Sequence, residues 1–559
     1  SATISDNFLL IKKFRGLVSK PYLQTRFIIG VIFLNDGGKR VAKAVAFLIV
    51  TTIFTRILGL ARESILYSIF NANYMTDAYR AAFSIPDYVY MMLVGGALSS
   101  AFIPVFSSYI ATDREEEGWL AASIVFNYII LFLFILITIA YIYTEWLIKR
   151  LVPGLPIQSV SLAVTMTHIM FLQTFFMVLN GIAMGILNCY NHFVTPAIGS
   201  LIYNVTIIIV GVAFYRQYGI VAFSYGVVAG AALDFIIQIP DLRKVGIRYH
   251  FSWNYSNPGF VQIISLMLPV MIGLGVVQLN PFVTQNLASN LGPGMISALD
   301  LAQKIMNLPI GIFATPIAIA VFPTLTVLIA KGEKNAFLRT NSLSLRAILL
   351  VSIPSSLGIM AIGEPLIEVL FKYGNFTSTM AHIVYQALLY FCIGIFAYSA
   401  VQILNRSFYA LKDTLTPIMA SILTIGFNII LSIHMVEIWG IRGLALASSC
   451  SAIFNLLFLL IMLRIKAGPI GIRKIILSAS ISLTASLLMF LVVHYSTYFL
   501  IANMHLTIKL NQLLSLAIGI ILGALVYMLL IYCFKLQESE LLLGLIHNRF
   551  SNIQKTRIH

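Results

Sequence analysis

Residues 119–146 read WLAASIVFNYIILFLFILITIAYIYTEW, a run of 28 residues in which Glu145 is the one charged side chain. A helix that crosses the hydrocarbon core of a bilayer needs about 20 consecutive apolar residues. This run is long enough to do so, and it is too apolar to form the surface of a soluble protein. We therefore predict a membrane-spanning helix here, and the same pattern recurs along the chain.

The composition of the whole chain supports the same class. Of the 559 residues, 59% are hydrophobic and 10% are charged, whereas a soluble domain carries about 25% charged residues. A soluble enzyme, a disordered chain and a disulfide scaffold are all excluded. We predict an all-α polytopic membrane protein with 14 transmembrane helices. The predicted spans are 42–62, 76–110, 119–146, 157–188, 194–214, 219–240, 258–290, 294–330, 337–363, 377–411, 415–436, 440–463, 472–499 and 511–534.

Basic residues are distributed unevenly over the two predicted sides of the membrane. An even number of spans places both termini on one side, and that side holds 24 Lys and Arg residues against 6 on the other. Cytoplasmic loops are the ones that carry such an excess. We therefore predict cytoplasmic N- and C-termini and assign the positive charge to topology, with no nucleic-acid partner. The basic segment 1–41 is expected to lie on the inner leaflet.

The chain contains a weak internal repeat. Thr195-Pro196 and Thr416-Pro417 are each followed, 23 residues after the Pro, by Gly-Ile, at an offset of 221. Asp77 precedes Pro86 by nine residues, as Asp300 precedes Pro309. The matching parts lie six spans apart, so the two copies share one orientation and form a parallel repeat. This arrangement predicts two six-helix lobes, with two extra helices at the C-terminal end.

Two lobes around a central cavity are typical of alternating-access transporters. The sequence has no GxxxxGK[ST] loop and no HExxH, and its nine histidines are scattered. We therefore predict a transporter and not an enzyme, with no cofactor, and expect transport to draw on the membrane potential or an ion gradient.

Six basic residues lie inside the predicted spans. Two of them lie near the ends of their spans, where their charged groups can reach the membrane–water interface. The other four are Arg56, Arg62, Arg80 and Lys304. Such residues are costly in a membrane and are expected to face a cavity or a partner. The alternatives are helical ion pairs, Arg80 with Asp77 and Lys304 with Asp300, or an interfacial position for Arg62. If they share one cavity, they form a cationic site suited to phosphate or pyrophosphate.

Several motifs carry a resemblance to a known family. They are TRILGLAR at 55–62, TDAYRAAFSIP at 76–86, GGALSSAFIPVF at 95–106, KYGNFT at 372–377 and FYALKDTLTP at 408–417. Together they resemble the MurJ (MviN) family of bacterial lipid II flippases, over roughly residues 42–535.

The resemblance implies the fold of the MOP exporter superfamily and a V-shaped cationic cavity for the pyrophosphate head group. It implies two six-helix lobes, which we place at 42–250 and 251–467, and a lipid-tail groove, which we place at 468–536. The basic segment 1–41 is longer than is usual in the family, and a cytoplasmic tail is expected at 537–559. The cargo would be lipid II, moved between leaflets of the bacterial inner membrane. Membrane lipids and the cell-wall synthesis machinery would be further partners.

The resemblance also implies roles for single residues. Arg56, Arg62 and Lys304 would bind substrate, with Lys304 at the position of a family Arg, and Arg80 joins them by its place in the span. The residues expected to be structural or to act in gating are Asp77, Pro86, Gly95, Gly96, Pro104, Asp300 and Pro309. Asp413 is the candidate for a monovalent cation site in the second lobe.

The chain departs from the family at two positions: many members have Arg at the position of Met91 and Glu at that of Gly95. Arg80 falls on the same helical face as Met91 and is a candidate to compensate. Three alternatives stay open: a flippase for another lipid-linked oligosaccharide, a multidrug antiporter of the same superfamily, and a membrane scaffold with a vestigial cavity.

Overall fold

A computed structural model describes residues 36–95, 98–190, 192–503 and 508–534, with side chains from residue 51 onward except at positions 99, 100 and 508. The regular structure of these residues is entirely helical. The helices of the first half are α1 (Asp36–Phe70), α2 (Tyr74–Leu93), α3 (Ile103–Ala111), α4 (Glu115–Ile142), α5 (Thr144–Leu151), α6 (Ile157–Cys189), α7 (Val194–Tyr218), α8 (Val221–Ile236) and α9 (Ile239–Val245).

The second half repeats this pattern and adds two helices. Its helices are α10 (Pro258–Val277), α11 (Leu279–Ser289), α12 (Met295–Pro309), α13 (Thr315–Ala330), α14 (Lys334–Phe371), α15 (Ser378–Cys392), α16 (Ile395–Ala410), α17 (Leu415–Trp439) and α18 (Ile441–Ala467), followed by α19 (Ile472–Asn503) and α20 (Ile508–Cys533). Short π-helical turns at Leu98–Phe102 and Ile310–Ala314 precede α3 and α13.

The spans agree with the hydropathy pattern. Within the described residues, 11 helical segments are long and apolar enough to cross a membrane, and α15 with α16, bent by 47°, forms a twelfth. Helix α1 and the broken element from α2 to α3 occupy the first two predicted spans. The count of 14 therefore stays a prediction. Segment 1–35, Gly96 and the tail 537–559 lie outside the described residues.

Helix α1 is longer than the predicted first span, which ended at residue 62. It continues to Phe70, where Asn71 adopts a positive φ of 61° and Asn73 begins the next helix with a capping box. The extension matters because it places Arg62 and Glu63 in the interior of a helix. The helix end considered at Arg62 is therefore wrong, because the helix ends eight residues later at Phe70.

The backbone preserves the internal repeat. Gly219 and Gly440, 221 positions apart, end α7 and α17 with nearly the same conformation, φ 58° and ψ −142° against φ 55° and ψ −130°. Helices α2 and α12 also begin 221 positions apart. Thr76 and Ser297, related by this offset, contact each other through their hydroxyls at 3.0 Å, as residues on a two-fold axis must. Packing repeats as well: α7 lies against α8 as α17 lies against α18.

One sequence pairing does not hold in the structure. Asp77 and Asp300 are 223 positions apart, two more than the offset that relates the helices. The structural counterpart of Asp77 is Ala298, and the two aspartates face different surroundings.

The two halves are joined by apolar packing on one side of the membrane and by hydrogen bonds on the other. We name the hydrogen-bonded side the outer side, after the topology predicted from the charges. There Asn375 N donates to Ser68 O at 2.7 Å, and Gly154 N donates to Ser289 Oγ at 3.2 Å. On the inner side α10 packs on α4 and on the Leu98–Phe102 turn through apolar side chains. The structure is thus closed by hydrogen bonds at the outer side.

Candidate functional site

A charge cluster lies between the two halves, where α1, α2 and α12 meet. Its centre is Glu63 on α1, whose side chain is 2% exposed. Glu63 Oε1 accepts from Arg62 Nη2 at 2.8 Å and from Lys304 Nζ at 2.7 Å. Glu63 Oε2 forms a close ion pair with Arg80 Nη2. One carboxylate therefore binds three of the four cations that the sequence singled out.

Asp300 on α12 is the second acid of the cluster. Its Oδ2 lies 2.8 Å from Lys304 Nζ and 3.1 Å from Arg80 Nε. The hydroxyl of Tyr67 accepts from Arg80 Nη2 at 3.3 Å. The helical pair of Lys304 with Asp300 is thus present. Arg80 pairs with the acids of two other helices and not with Asp77, so that alternative is wrong.

The cluster carries a net positive charge and is exposed unevenly. Its three cations and two carboxylates sum to +1. The Arg80 side chain is 9% exposed, whereas Lys304 and Asp300 are 31% and 32% exposed. The Arg80–Glu63 pair therefore forms the buried end of the cluster, and Lys304 lies at its solvent-accessible edge. An anion that reaches this edge meets Lys304, which is already ion-paired with Glu63 and Asp300.

Arg56 lies apart from the cluster but along the same seam. Its guanidinium packs against Gly311 in the second π-helical turn, and a Cβ at that position would collide with it. Arg56 precedes Glu63 by seven residues and Gly311 follows Lys304 by seven, so it lies about 10 Å from the cluster, toward the inner side. Among the described residues, none accepts a hydrogen bond from Arg56 Nε. Its expected role as a substrate ligand stays a prediction.

Asp77 joins the halves at the outer side. Its carboxylate is fully buried and accepts from Gly294 N at 2.5 Å and from Ser297 N at 2.8 Å. These two amides begin α12, so a side chain of α2 caps a helix of the other half. The negative charge also complements the positive end of the α12 dipole. We call these contacts, together with Thr76, the outer latch.

The predicted prolines and Gly95 mark interruptions of the second and eighth spans. Helix α2 contains Pro86 and ends at Leu93, just before Gly95. Pro104 follows the first π-helical turn and Pro309 precedes the second. π-Helical turns are frequent at functional sites, and these two follow the helices that form the latch. Their gating roles are not tested by the geometry and stay predictions.

Arg80 does not supply a positive charge at the position of Met91, where many family members have Arg. Met91 is 40% exposed and lies 11 residues, about 16 Å, beyond Arg80 along α2. Because Arg80 is held by Glu63, Asp300 and Tyr67, it cannot also serve the Met91 position.

Glu63 and Tyr67 were not among the predicted site residues. The signal for Glu63 was present, since it follows Arg62 inside an apolar run that continues to Phe70. Asp413, the cation candidate, lies between α16 and α17. It accepts from Thr416 N at 3.0 Å and from Lys466 Nζ at 2.5 Å, and these contacts are those of a helix cap. Within the described residues no three His, Cys, Asp or Glu side chains form a metal-binding group.

Comparison with known proteins places this geometry in a family. The sequence profile of the family "Lipid II flippase MurJ" matches residues 66–509. The chain belongs to the lipid II flippase MurJ family. The match begins just after Glu63, so Arg62 and Glu63 of the cluster lie outside it, whereas Tyr67 lies within it.

Curated relatives and solved structures agree with the MurJ assignment. The chain is 29% identical to the lipid II flippase MurJ of Burkholderia cenocepacia, over 74% of this chain and 82% of the relative. It is 26% identical to the probable lipid II flippase MurJ of Rickettsia prowazekii, over 88% and 97%. A structure described as lipid II flippase MurJ in an inward closed conformation matches with a TM-score of 0.74 and 28% identity, over 87% and 98%.

A second solved structure shows how far the fold extends beyond the family. An inward-facing multidrug MATE transporter of the MOP superfamily matches with a TM-score of 0.62, over 74% of this chain and 95% of the transporter. At 14% identity, this likeness shows the fold alone. The predicted fold class, two lobes of the MOP exporter type, is confirmed.

Proposed function

We propose that this protein is a flippase that moves lipid II, an undecaprenyl-pyrophosphate-linked peptidoglycan precursor, from the inner to the outer leaflet of the bacterial inner membrane. The observation that carries the proposal is the charge cluster at the boundary of the halves in a MurJ-family chain. Its pairs Lys304–Glu63 and Arg80–Asp300 join one half to the other. Any rocking of the halves must therefore change the partners of these cations.

The cluster offers a physical link between binding and rocking. A pyrophosphate carries at least two negative charges and can accept hydrogen bonds from Lys and Arg. When it reaches the exposed edge, it competes with Glu63 and Asp300 for Lys304 and Arg62. Binding of the head group would thus break the ion pairs that hold the halves together at the cluster. The outer latch at Asp77 and the hydrogen bonds at Ser68 and Gly154 would then still have to break before the outer side opens. Arg56, whose Nε has no described acceptor, would contact the head group on its way to the cluster.

The lipid tail requires a separate surface. We assign the lobes to residues 42–250 and 251–467 and the tail groove to 468–536. Helices α19 and α20 pack on each other and on α14, and they expose large apolar side chains such as Leu488, Leu491 and Leu525. Such a face suits a polyprenyl chain, which stays in the hydrocarbon region while the head group crosses.

Orientation and energy source complete the proposal. With the termini in the cytoplasm, including segment 1–41 and the tail 537–559, the inner side of the structure faces the cytoplasm. Since the sequence has no nucleotide-binding loop, flipping would draw on the membrane potential, a cation gradient or consumption of lipid II outside. One charge moved across 100 mV is worth about 2.3 kcal/mol, roughly a fifty-fold change in equilibrium. Cell-wall synthesis enzymes are the expected users of the product.

Two of the alternatives place other cargo in the same fold. A flippase for another lipid-linked oligosaccharide would use the same cations, because its cargo also carries pyrophosphate. A multidrug antiporter for cationic drugs would need a net negative cavity, whereas the cluster sums to +1. The charge therefore favours a pyrophosphate lipid, and cargo identity is decided by experiment.

The experiment is complementation of a bacterial strain depleted of its own lipid II flippase. We expect this chain to restore growth and the appearance of lipid II on the outer leaflet. Asp241→Asn, which alters an ion pair with Lys244 inside the first half, is the control and should also complement. Failure of a correctly inserted protein to restore growth, or rescue only of an O-antigen-type flippase mutant, would overturn the proposal. A thiol reagent that cannot cross the membrane should not label a Cys at position 250 in intact cells; labelling there would reverse the topology.

A further inference from the structure

A second buried polar cluster lies inside the first half, away from the seam. Asp234 stands near the middle of the span Val221–Val245 and is 5% exposed. Its Oδ2 accepts from Asn180 Nδ2, on α6, at 2.8 Å. Gln238, which is fully buried, donates from Nε2 to the side-chain oxygen of Asn180 and to the backbone oxygen of Asp234 at 3.3 Å. The three side chains form a chain of amide-to-oxygen hydrogen bonds.

Two oxygens of this cluster accept no hydrogen bond from any described residue: Asp234 Oδ1 and Gln238 Oε1. The first of them lies against Gly199 of α7, where a Cβ would collide with it. Gly199 therefore lets the carboxylate approach the backbone of the neighbouring helix. Buried polar atoms in native proteins are almost always paired, so two unpaired acceptors four residues apart on one short segment need an explanation.

The charge of the cluster is also unbalanced. No Lys, Arg or His of the described residues forms an ion pair with Asp234. Its titratable neighbours are Tyr203 on α7 and Tyr90 on α2, which are neutral at physiological pH, and α6 contributes the amide of Asn180. An ionised carboxylate without a cation is expensive inside a membrane. The missing partner must be positive and must be bound by oxygen atoms.

We infer that Asp234, Asn180 and Gln238 form a binding site for a monovalent cation, either Na⁺ or a proton. The ligands are oxygen atoms, which hard cations prefer. A single positive charge neutralises the single carboxylate, whereas a divalent ion would leave an uncompensated charge in the span. Gly181, the chain neighbour of Asn180, lines a cavity of about 150 Å³ beside α6, which is large enough to hold water. None of the three site residues lines that cavity.

The site extends the proposed function, because a bound cation could couple transport to an ion gradient. That coupling role rests on the proposed flippase activity. It lies between α6, α7 and α8 of the first half, whereas the candidate Asp413 lies in the second. A cation bound here would affect the packing of these three helices and not the ion pairs at the seam.

The test measures cation binding directly, with the purified full-length protein in detergent and without lipid II. Saturable binding of radioactive ²²Na⁺ is measured for the wild type, for Asp234→Asn and for the control Glu145→Gln, which alters an exposed ion pair with Lys149 in the same half. In parallel, infrared difference spectra between neutral and alkaline pH report the carbonyl band of a protonated carboxylic acid. Gln238→Leu keeps the carboxylate and removes one acceptor oxygen, which gives a second measurement should Asp234→Asn fail to fold.

Either of two results supports the site. Na⁺ binding that is lost in Asp234→Asn, at least tenfold weaker in Gln238→Leu and unchanged in Glu145→Gln identifies Na⁺. An infrared band of a protonated acid, absent in Asp234→Asn and shifted in Gln238→Leu, identifies a proton. If the wild type shows neither, or if both signals survive in Asp234→Asn, the inference is wrong. Because lipid II is absent, that failure is distinct from a failure of the flippase proposal, which would appear as absent complementation with cation binding intact.

Discussion

The outer latch leads to a prediction with a definite magnitude. Asp77 accepts two backbone hydrogen bonds from the start of α12, at 2.5 and 2.8 Å, in a fully buried position. Hydrogen bonds to a charged group contribute about 1.5–3 kcal/mol each. Both exist only while the halves are closed at the outer side. We therefore expect Asp77→Ala to destabilise the outer-closed state by about 3 kcal/mol or more relative to the outer-open state, a shift on the order of a hundredfold.

The shift can be measured through the reactivity of a buried thiol. Ser297 is fully buried in the latch, so a Cys at this position reacts with a membrane-impermeant reagent from outside only when the latch opens. In a background without the four native cysteines, the rate of modification is proportional to the open fraction. We expect Asp77→Ala to raise this rate on the order of a hundredfold. Asp241→Ala, which loses bonds inside one half, is the control and should leave the rate unchanged.

Two results would refute this account of the latch. If the rate is the same with and without the Asp77→Ala substitution, the two hydrogen bonds do not hold the outer side closed. If Asp241→Ala raises the rate equally, the change reflects general loosening of the first half and not the latch.

Three further predictions concern the cluster and the loop cap. Lys304→Arg should keep flipping within about threefold of wild type, because it retains the positive charge that pairs with Glu63, whereas Lys304→Ala should lose flipping. Both variants are compared by complementation, and equal growth of the two would remove Lys304 from the site. Glu63→Gln should lower the thermal unfolding midpoint, since removing one partner of a buried ion pair costs about 3–5 kcal/mol; an unchanged midpoint would show that the cluster is solvated. Burial raises the pKa of Asp413, but hydrogen bonds from Lys466 and Thr416 outweigh this effect, so the pKa is lowered overall. The ionised Asp413 carboxylate therefore stabilises the folded protein above the unfolded pKa of about 3.9, and this stabilisation is lost as the pH falls below that value. The fall in the thermal unfolding midpoint on acidification should accordingly be smaller in Asp413→Asn than in the wild type.

The spans were predictable because they depend on composition. A helix in lipid must be apolar over most of its length, so hydropathy located every long helix that the structure describes. The repeat was predictable for a similar reason, since Gly219 and Gly440 fill backbone positions with positive φ that favour glycine. The end of α1 was missed because the charged pair Arg62-Glu63 looks like an interface when its partners are unknown.

Those partners could not be read from the sequence. Arg80 meets Glu63 across 17 residues and Asp300 across 220, and Asp77 meets Gly294 across 217. Such contacts depend on how two separate helical bundles lie against each other. Local spacing favoured the pair of Arg80 with Asp77, and it was overridden because the amides at the start of α12 are the better partners for a buried carboxylate. The bend between α15 and α16 lies at Gly394, which approaches the backbone of Ser449 on α18 so closely that a Cβ would collide with it.

The measurement that tests the central claim most directly is translocation of lipid II by the purified protein in liposomes, with the membrane potential and the sodium and proton gradients set independently. The wild type should move lipid II to the opposite leaflet faster than protein-free liposomes, and Arg56→Ala, folded and inserted equally well, should not. Lipid II that stays in its leaflet with the wild type under every gradient, or that moves equally well with Arg56→Ala, would contradict a flippase whose seam of cations binds the pyrophosphate head group.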